Sequence, residues 1–258
     1  MFRPNTLKTR LRRGEAAFGV VHALANPSVA EMIGLAGFDF ILLDGEHGTG
    51  DHQLHLNCLQ AIAGTPATAL MRIEANDRTV LKRTLDLGVE GVMVPNIGSA
   101  AEARDVVAAC RYPPNGVRGF AASGVRASDY GFQSDTYLQE YAERLLIAVM
   151  IESRAGVENA AAIAEVNGID IIQIGANDLS YDLGVPEQLD HPLLHAAVAK
   201  VEAAAKANGK ILGGAPLPRV DIATLVQRGY GLITVGRDVG MLGKALAASL
   251  AACRATRP

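Results

Sequence analysis

Short apolar runs recur along this chain, each followed by a longer stretch whose apolar positions repeat at helical spacing. Eight runs read as strands, over 16–24, 38–44, 68–73, 91–95, 145–153, 169–175, 210–216 and 230–236. They are near-continuous in apolar character rather than alternating, as strands covered on both faces of a parallel sheet must be. The intervening helices carry start and stop signals. A leading helix over 4–14 ends at Gly14. Asn26-Pro27, Asp51, Asn76-Asp77 and Ser99 open the next four helices, and Gly37, Gly64 and Gly88 end three of them. Further helices fall over 135–143, 158–166, 192–207, 218–228 and 239–253.

Alternation of this kind implies a parallel sheet with right-handed crossovers. Eight units in about 230 residues favour a closed barrel over an open doubly wound sheet, which would more often be shorter and carry its glycine signature in the first turn. The expected fold is therefore a single (β/α)8 TIM barrel spanning 1–258. Two segments break the rhythm. Residues 112–130 (YPPNGVRGFAASGVRASDY) are rich in Gly, Pro and Ser and are expected to pass over the barrel mouth; 178–192 is expected to be a loop. The final helix, rich in Ala and Leu, either closes the barrel or packs on a neighbouring chain.

Composition narrows the function classes. With 258 residues, 49% of them hydrophobic, the chain holds one large core, and a net charge of −3 without a large basic face argues against nucleic acid. Arg10, Arg12 and Arg13 read as an exposed helix face. Cys58, Cys110 and Cys253 are odd in number and in no metal-ligand spacing, as in a reduced cytoplasmic protein. No apolar run suits a signal peptide or a membrane span, so a soluble cytoplasmic protein without membrane partners is expected.

The candidate chemistry lies at strand ends. His47, Arg72, Glu152 and Asp178 follow the apolar runs 40–43, 69–71, 146–151 and 169–174. In a closed barrel they converge on the mouth at the C-terminal ends of the strands. Glu152 and Asp178 come from adjacent strands, about 4.8 Å apart, and two carboxylates there can share one cation. Two oxygen ligands leave most of an octahedral shell to water and substrate, which suits Mg²⁺ or Mn²⁺ rather than structural zinc. Arg72 would bind the carboxylate or enolate oxygen of a small anion. His47, in the turn LDGEHG (43–48), is placed to move protons, with Asp44 to orient it. Gly175, Ala176 and Asn177 expose backbone N–H groups that suit a carboxylate or phosphate.

Plainer readings of the same residues stand beside these. Glu152 would pair with Arg154, Asp178 would cap a helix starting at Leu179, and Arg72 would pair with Glu74 or Asp77. His47, His52 and His55 would form a metal cluster only if the last two left their outer helix. Gly175–Asn177 would be a tight turn, and Gly236-Arg237-Asp238 resembles a phosphate-binding turn only weakly. The lysines (8, 82, 200, 206, 210 and 244) fall on helices or at a strand start, so imine chemistry is disfavoured and a metal is the expected stabiliser of a carbanion.

Together the segments LDGEHG (43–48), MRIEAND (71–77), LDLGVEGVMVP (85–95), RYPPNGVRG (111–119), IES (151–153) and IGANDLSYDLG (174–184) resemble the HpcH/HpaI family of metal-dependent pyruvate aldolases over nearly the whole chain. The resemblance implies a TIM barrel of the phosphoenolpyruvate/pyruvate type that exchanges its last helix within a dimer and assembles as a homo-oligomeric hexamer. It implies a divalent cation (Mg²⁺, Mn²⁺ or Co²⁺) and cleavage of a 4-hydroxy-2-oxo acid to pyruvate and an aldehyde. By the same resemblance Glu152 and Asp178 hold the metal, Arg72 steadies the enolate, and His47 serves acid–base chemistry. Asp44 and Asp86 match acidic positions near that histidine, and Gly175–Asp178 the carboxylate-binding turn. Departures from the family pattern affect the pocket wall: Met150 stands where relatives often have Gln, Gly-Ala-Asn-Asp (175–178) where they often read Gly-Pro-Ala-Asp, and the first strand has no Trp. Alternatives are a citrate-synthase-like or CoA-ester lyase member working on an acyl-thioester enolate, and a non-catalytic keto-acid-binding barrel.

Overall fold

The computed structural model describes residues 2–256. Its strands are β1 (Ala17–His22), β2 (Phe40–Asp44), β3 (Thr68–Arg72), β4 (Gly91–Val94), β5 (Leu146–Ile151), β6 (Ile171–Ile174), β7 (Ile211–Gly214) and β8 (Tyr230–Arg237). All neighbouring pairs are parallel, and β8 returns to β1 to close the barrel. The helices are α1 (Thr6–Arg12), α2 (Pro27–Leu35), α3 (His52–Ile62), α4 (Arg78–Asp86), α5 (Ala100–Ala109), α6 (Ser134–Arg144), α7 (Arg154–Glu158), α8 (Ala160–Ala164), α9 (Ala176–Asp182), α10 (Pro192–Ala207), α11 (Ile222–Gln227) and α12 (Asp238–Ala255). The expected N-caps form as read: Asn26, Asp51, Asp77 and Ser99 each accept a backbone N–H from the first turn of their helix.

A period of two along each strand sorts the side chains into two cores. Outward positions pack against the helices. Inward positions, including Phe40, Leu42, Leu70, Met93, Leu146, Ala148, Met150 and Ile171, fill the barrel axis. Continuing the same alternation upward brings Asp44 two residues after Leu42, Arg72 two after Leu70, Glu152 two after Met150, and Gln173 two after Ile171. All four are buried. The pattern that packs the axis thus also aims these polar side chains into the mouth.

The opposite end is plugged by α1. Leu7 and Leu11, one helical turn apart, join the axial core. Asn5 caps α1 and donates to the carbonyls of Glu90 and Arg144, and Lys8 Nζ donates to Leu145 O at 2.7 Å and pairs with Asp170. Two of the three clustered arginines meet acids at the surface: Arg10 contacts Asp39, and Arg12 lies 3.3 Å from Glu143.

Two expectations change, and the choice left open for the last helix narrows to one. Residues 112–130 do not cover the mouth. Helices run antiparallel to the strands, so the segment between α5 and β5 belongs to the N-terminal end of the barrel. There Val117 N–H donates to Ala108 O, and Arg126 donates to Leu87 O at 2.6 Å and to Leu59 O. Residues 176–182, expected as loop, form the short helix α9. Finally, α12 leaves the barrel after its first residue. Asp238 is buried, but every described residue after it is exposed, including Leu242, Leu246 and Leu250 on one stripe, so within the chain this helix does not close the barrel.

Candidate active site

The mouth is built around Asp44, fully buried at the end of β2. The register of β2 and β3 sets it opposite Arg72. Arg72 grips it with two nitrogens, Nε to Oδ1 at 2.9 Å and Nη2 to both oxygens at 2.8 Å. Arg237, at the end of β8, donates to Oδ2 from the other side, and the backbone N–H groups of Glu46 and His47 donate to Oδ1. Burial pushes the Asp44 carboxyl upward, but the Arg72 guanidinium and these donors outweigh it and hold the group below its ordinary value. Gly45 follows directly, and its N–H bonds to Arg72 O at 2.8 Å. A Cβ there would meet that carbonyl, so the close approach requires glycine.

Arg72 does not pair with Glu74 or Asp77. Its remaining nitrogen, Nη1, lies 2.9 Å from Glu46 Oε2, a partner not singled out in the sequence although it sits inside LDGEHG. His47 stands half-exposed at the rim of the mouth cleft, its Nε2 3.8 Å from the same Glu46 oxygen. The histidine is therefore oriented from its backbone by Asp44 and approached at its ring by Glu46.

Glu152 lies across the mouth, just past β5. It is 7% exposed; Oε1 accepts the Asn96 N–H at 2.7 Å, and Oε2 is buried without a partner. Gly175 packs directly on that carboxylate, where any Cβ would collide with Oε2. Burial, opposed by the Asn96 bond and reinforced by the nearby charges of Asp178 and Glu46, pushes the Glu152 carboxyl up to about 7. With Asp178 and Glu46 nearby and only the Arg72 charge opposing them, this buried, unpartnered oxygen is suited to a cation. Asp178 is exposed in the first turn of α9 and lines the cleft beside Gly175, Ala176 and Asn177. Glu152 does not pair with Arg154, whose Nε and backbone N–H go to Asp182.

The cleft has a volume of roughly 360 Å³, and its wall also includes Met150, Gln173, Thr234, Pro216 and Arg237. Among the described residues no group of three or more His, Cys, Asp or Glu side chains is arranged around one metal position. His47, His52 and His55 therefore form no cluster; His55 is buried on α3. No lysine lines the cleft among the described residues: Lys210 donates to the carbonyls of Val166 and Ile169 at the other end of the barrel.

Asp86 lies away from His47 within the chain. It is the last residue of α4, a helix that runs away from the mouth for roughly 13 Å at ~1.5 Å per residue. It pairs with buried Arg118 at 2.7 Å, and Arg118 also bonds Tyr137 OH and stacks on Tyr112. Within the chain it belongs to this Arg–Tyr cluster at the far end and does not approach His47.

Residues 18–245 match the family model described as HpcH/HpaI aldolase/citrate lyase. The chain belongs to this family. Among HpcH/HpaI proteins, 4-hydroxy-2-oxo-heptane-1,7-dioate aldolase of Salmonella arizonae is 38% identical over 93% of this chain and 91% of its own length. The 5-keto-4-deoxy-D-glucarate aldolase of Escherichia fergusonii is 37% identical over 92% of both chains. A solved HpcH/HpaI aldolase/citrate lyase family protein from Burkholderia cenocepacia J2315 superposes with a TM-score of 0.92 at 34% identity, covering 97% of this chain and 99% of that one. The barrel fold is thus shared with that protein over nearly the full length of both chains. No helix among the described residues is long and apolar enough to cross a membrane.

Proposed function

We propose that this chain is a divalent-metal-dependent aldolase, a carbon–carbon lyase that cleaves a 4-hydroxy-2-oxo acid to pyruvate and an aldehyde and runs the addition in reverse. The observation that carries the reading is the unpartnered Glu152 Oε2 standing across the same mouth from a guanidinium already fixed on a buried acid. Both relatives named above are aldolases named for diacids.

Glu152 and Asp178 would hold the cation, with the rest of its shell left to water and substrate. Mg²⁺, Mn²⁺ and Co²⁺ fit an all-oxygen pair of this kind. Bound there, the cation would act as a Lewis acid on the 2-oxo group. The first-turn N–H groups of Ala176, Asn177 and Asp178 are free of protein partners among the described residues and suit the substrate carboxylate. As the C3–C4 bond breaks, its electron pair becomes the C2=C3 double bond of the enolate and the carbonyl pair moves onto the C2 oxygen, where Arg72 offsets the negative charge. His47, through a water at the rim, takes the proton that leaves the C4 hydroxyl, with Glu46 to steady its ring. Protonation at C3 then completes pyruvate. Asp44 holds Arg72 so that its charge does not have to be oriented during the reaction.

Assembly belongs to the same reading. The exposed apolar stripe of α12 is where a second copy would pack, in a homo-oligomer of the kind the family resemblance implies. A 27.1 kDa monomer by light scattering would end that part of the reading.

The deciding experiment follows exchange of the pyruvate methyl protons by NMR, alongside retro-aldol release of pyruvate. Both are expected with Mg²⁺ or Mn²⁺, to stop with chelator, and to return on re-addition. Activity persisting after thorough metal removal, or borohydride trapping of a pyruvate–lysine adduct, would overturn the mechanism. Turnover of acetyl-CoA with oxaloacetate in place of a 4-hydroxy-2-oxo acid would establish the thioester alternative instead.

A further inference from the structure

Gln173 has no part in the chemistry above, yet it stands on the floor of the cleft. It is an inward position of β6, two residues above Ile171 of the axial core and two below Gly175, and it is 6% exposed. Its Oε1 is buried without a hydrogen-bond partner, and its Nε2 donates to no described residue. Thr234, the hydroxyl in the same wall, already donates to Gly214 O. Room for the amide is made on the next strand, where a Cβ at Gly213 of β7 would collide with Oε1.

An unpaired amide in a packed interior weakens the fold, because burial takes water from its polar ends. An apolar side chain would fill the same floor without that cost, as Met150 does beside it. A polar group kept against stability in this way is completed by a ligand. Position says which part of the ligand. The first-turn N–H groups of α9, which take the substrate carboxylate in the proposed reaction, begin three residues after Gln173 on the same strand-to-helix path. The oxygens of the keto-acid end therefore lie over the end of β6, and Gln173 reaches them from below. Glu152 and Asp178 are acids and cannot donate there, whereas an amide N–H adds a donor without altering the charge around the cation.

Strand register gives separate support. Met150 and Gln173 are direct partners across β5 and β6, about 4.8 Å apart as neighbouring strands are. HpcH/HpaI relatives often carry Gln at the position of Met150. The floor of this mouth thus still carries an amide, moved one strand over.

We propose that Gln173 is a substrate-binding residue whose side-chain amide donates to the carboxylate of the 2-oxo acid, the half common to substrate and pyruvate. This rests on the aldolase reading and adds a residue to its substrate site.

The test follows pyruvate methyl-proton exchange on the Mg²⁺-loaded enzyme against pyruvate concentration, together with the melting temperature. Gln173→Met keeps the side-chain length and removes both polar ends. It is expected to raise KM for pyruvate by about tenfold or more, the usual loss for a hydrogen bond to a charged group. The change in kcat should stay within about twofold, because the contact is made equally before and during enolisation. The metal-free variant should melt higher than the parent, and its further shift with Mg²⁺ should match the parent's, which separates a contact to substrate from one to the cation. Returning the amide to β5 in the double variant Met150→Gln, Gln173→Met should recover most of the lost KM, which no purely structural role predicts. Gln173→Leu serves if the methionine variant fails to fold. An unchanged KM, a lost Mg²⁺ shift, a variant less stable than the parent, or no recovery in the double variant overturns the proposal. Absence of exchange in the parent sinks the aldolase reading with it, whereas exchange in the parent with an unchanged KM in the variant sinks the proposal alone.

Discussion

Arg72→Ala is expected to slow pyruvate methyl-proton exchange by about a hundred- to a thousand-fold, the usual effect of removing one donor aimed at a developing oxyanion. The side chain supplies a charge already oriented by three hydrogen bonds to Asp44 and one ion pair to Glu46. The same contacts make the substitution a structural event. Asp44 would stay buried with Arg237 and two backbone N–H groups as partners. Breaking a buried pair commonly costs about 3–5 kcal/mol, and the remaining donors place this case toward the lower end. Exchange must therefore be read well below the variant's melting temperature, with folding checked by circular dichroism. Arg72→Lys should fall between parent and alanine variant, because lysine restores the charge as a point donor without the fork. An unchanged exchange rate in a folded Arg72→Ala protein would remove this residue from the chemistry.

Glu152→Gln is expected to reduce cation-dependent exchange and cleavage to the level seen with chelator, while making the metal-free protein more stable. The two effects share one origin. In the metal-free state burial and the charges of Asp178 and Glu46 raise this carboxyl from 4.5 to about 7. A group whose folded pKa is raised gives its full stability below the unfolded value and loses it as pH rises through the folded one. Metal-free parent stability should thus fall between about pH 4.5 and about pH 7, by at most about 3.4 kcal/mol at 1.36 kcal/mol per pH unit. The glutamine amide carries no charge to repel and can still accept the Asn96 N–H, so the variant should lack that slope. Added Mg²⁺ or Mn²⁺ should raise the melting temperature of the parent and leave the variant's unchanged. A variant that still gains stability from the cation, or a parent whose metal-free stability rises over that interval, would show that Glu152 is not the carboxylate that needs the charge.

Much of this site follows from periodicity. Leu42, Leu70, Met150 and Ile171 had to face the axis of a packed barrel. The residues two further on (Asp44, Arg72, Glu152 and Gln173) then had to face the mouth, whatever the loops did. The caps at Asn26, Asp51, Asp77 and Ser99 were legible for a related reason: a side-chain oxygen at that position bonds only to the next turn of its own helix, a local interaction.

The chain order therefore determined the closed parallel barrel and the convergence of Arg72, Glu152 and Asp178 on one end. It left undetermined which of several nearby charges each would meet. Glu46 rather than Glu74 or Asp77 reaches Arg72, and Arg237 crosses from β8 to Asp44 some 190 positions earlier in the chain, because strand register and turn shape set those partners. Asp86 and the Gly- and Pro-rich segment show the same limit from the other side. Both carry residues fit for a mouth, but they lie at the ends of helices that run back to the far end, where Arg118 receives Asp86 and the carbonyls of Leu87 and Leu59 receive Arg126. Local spacing records which face of a strand or helix a side chain takes; only closure of the barrel decides which distant charges share that face.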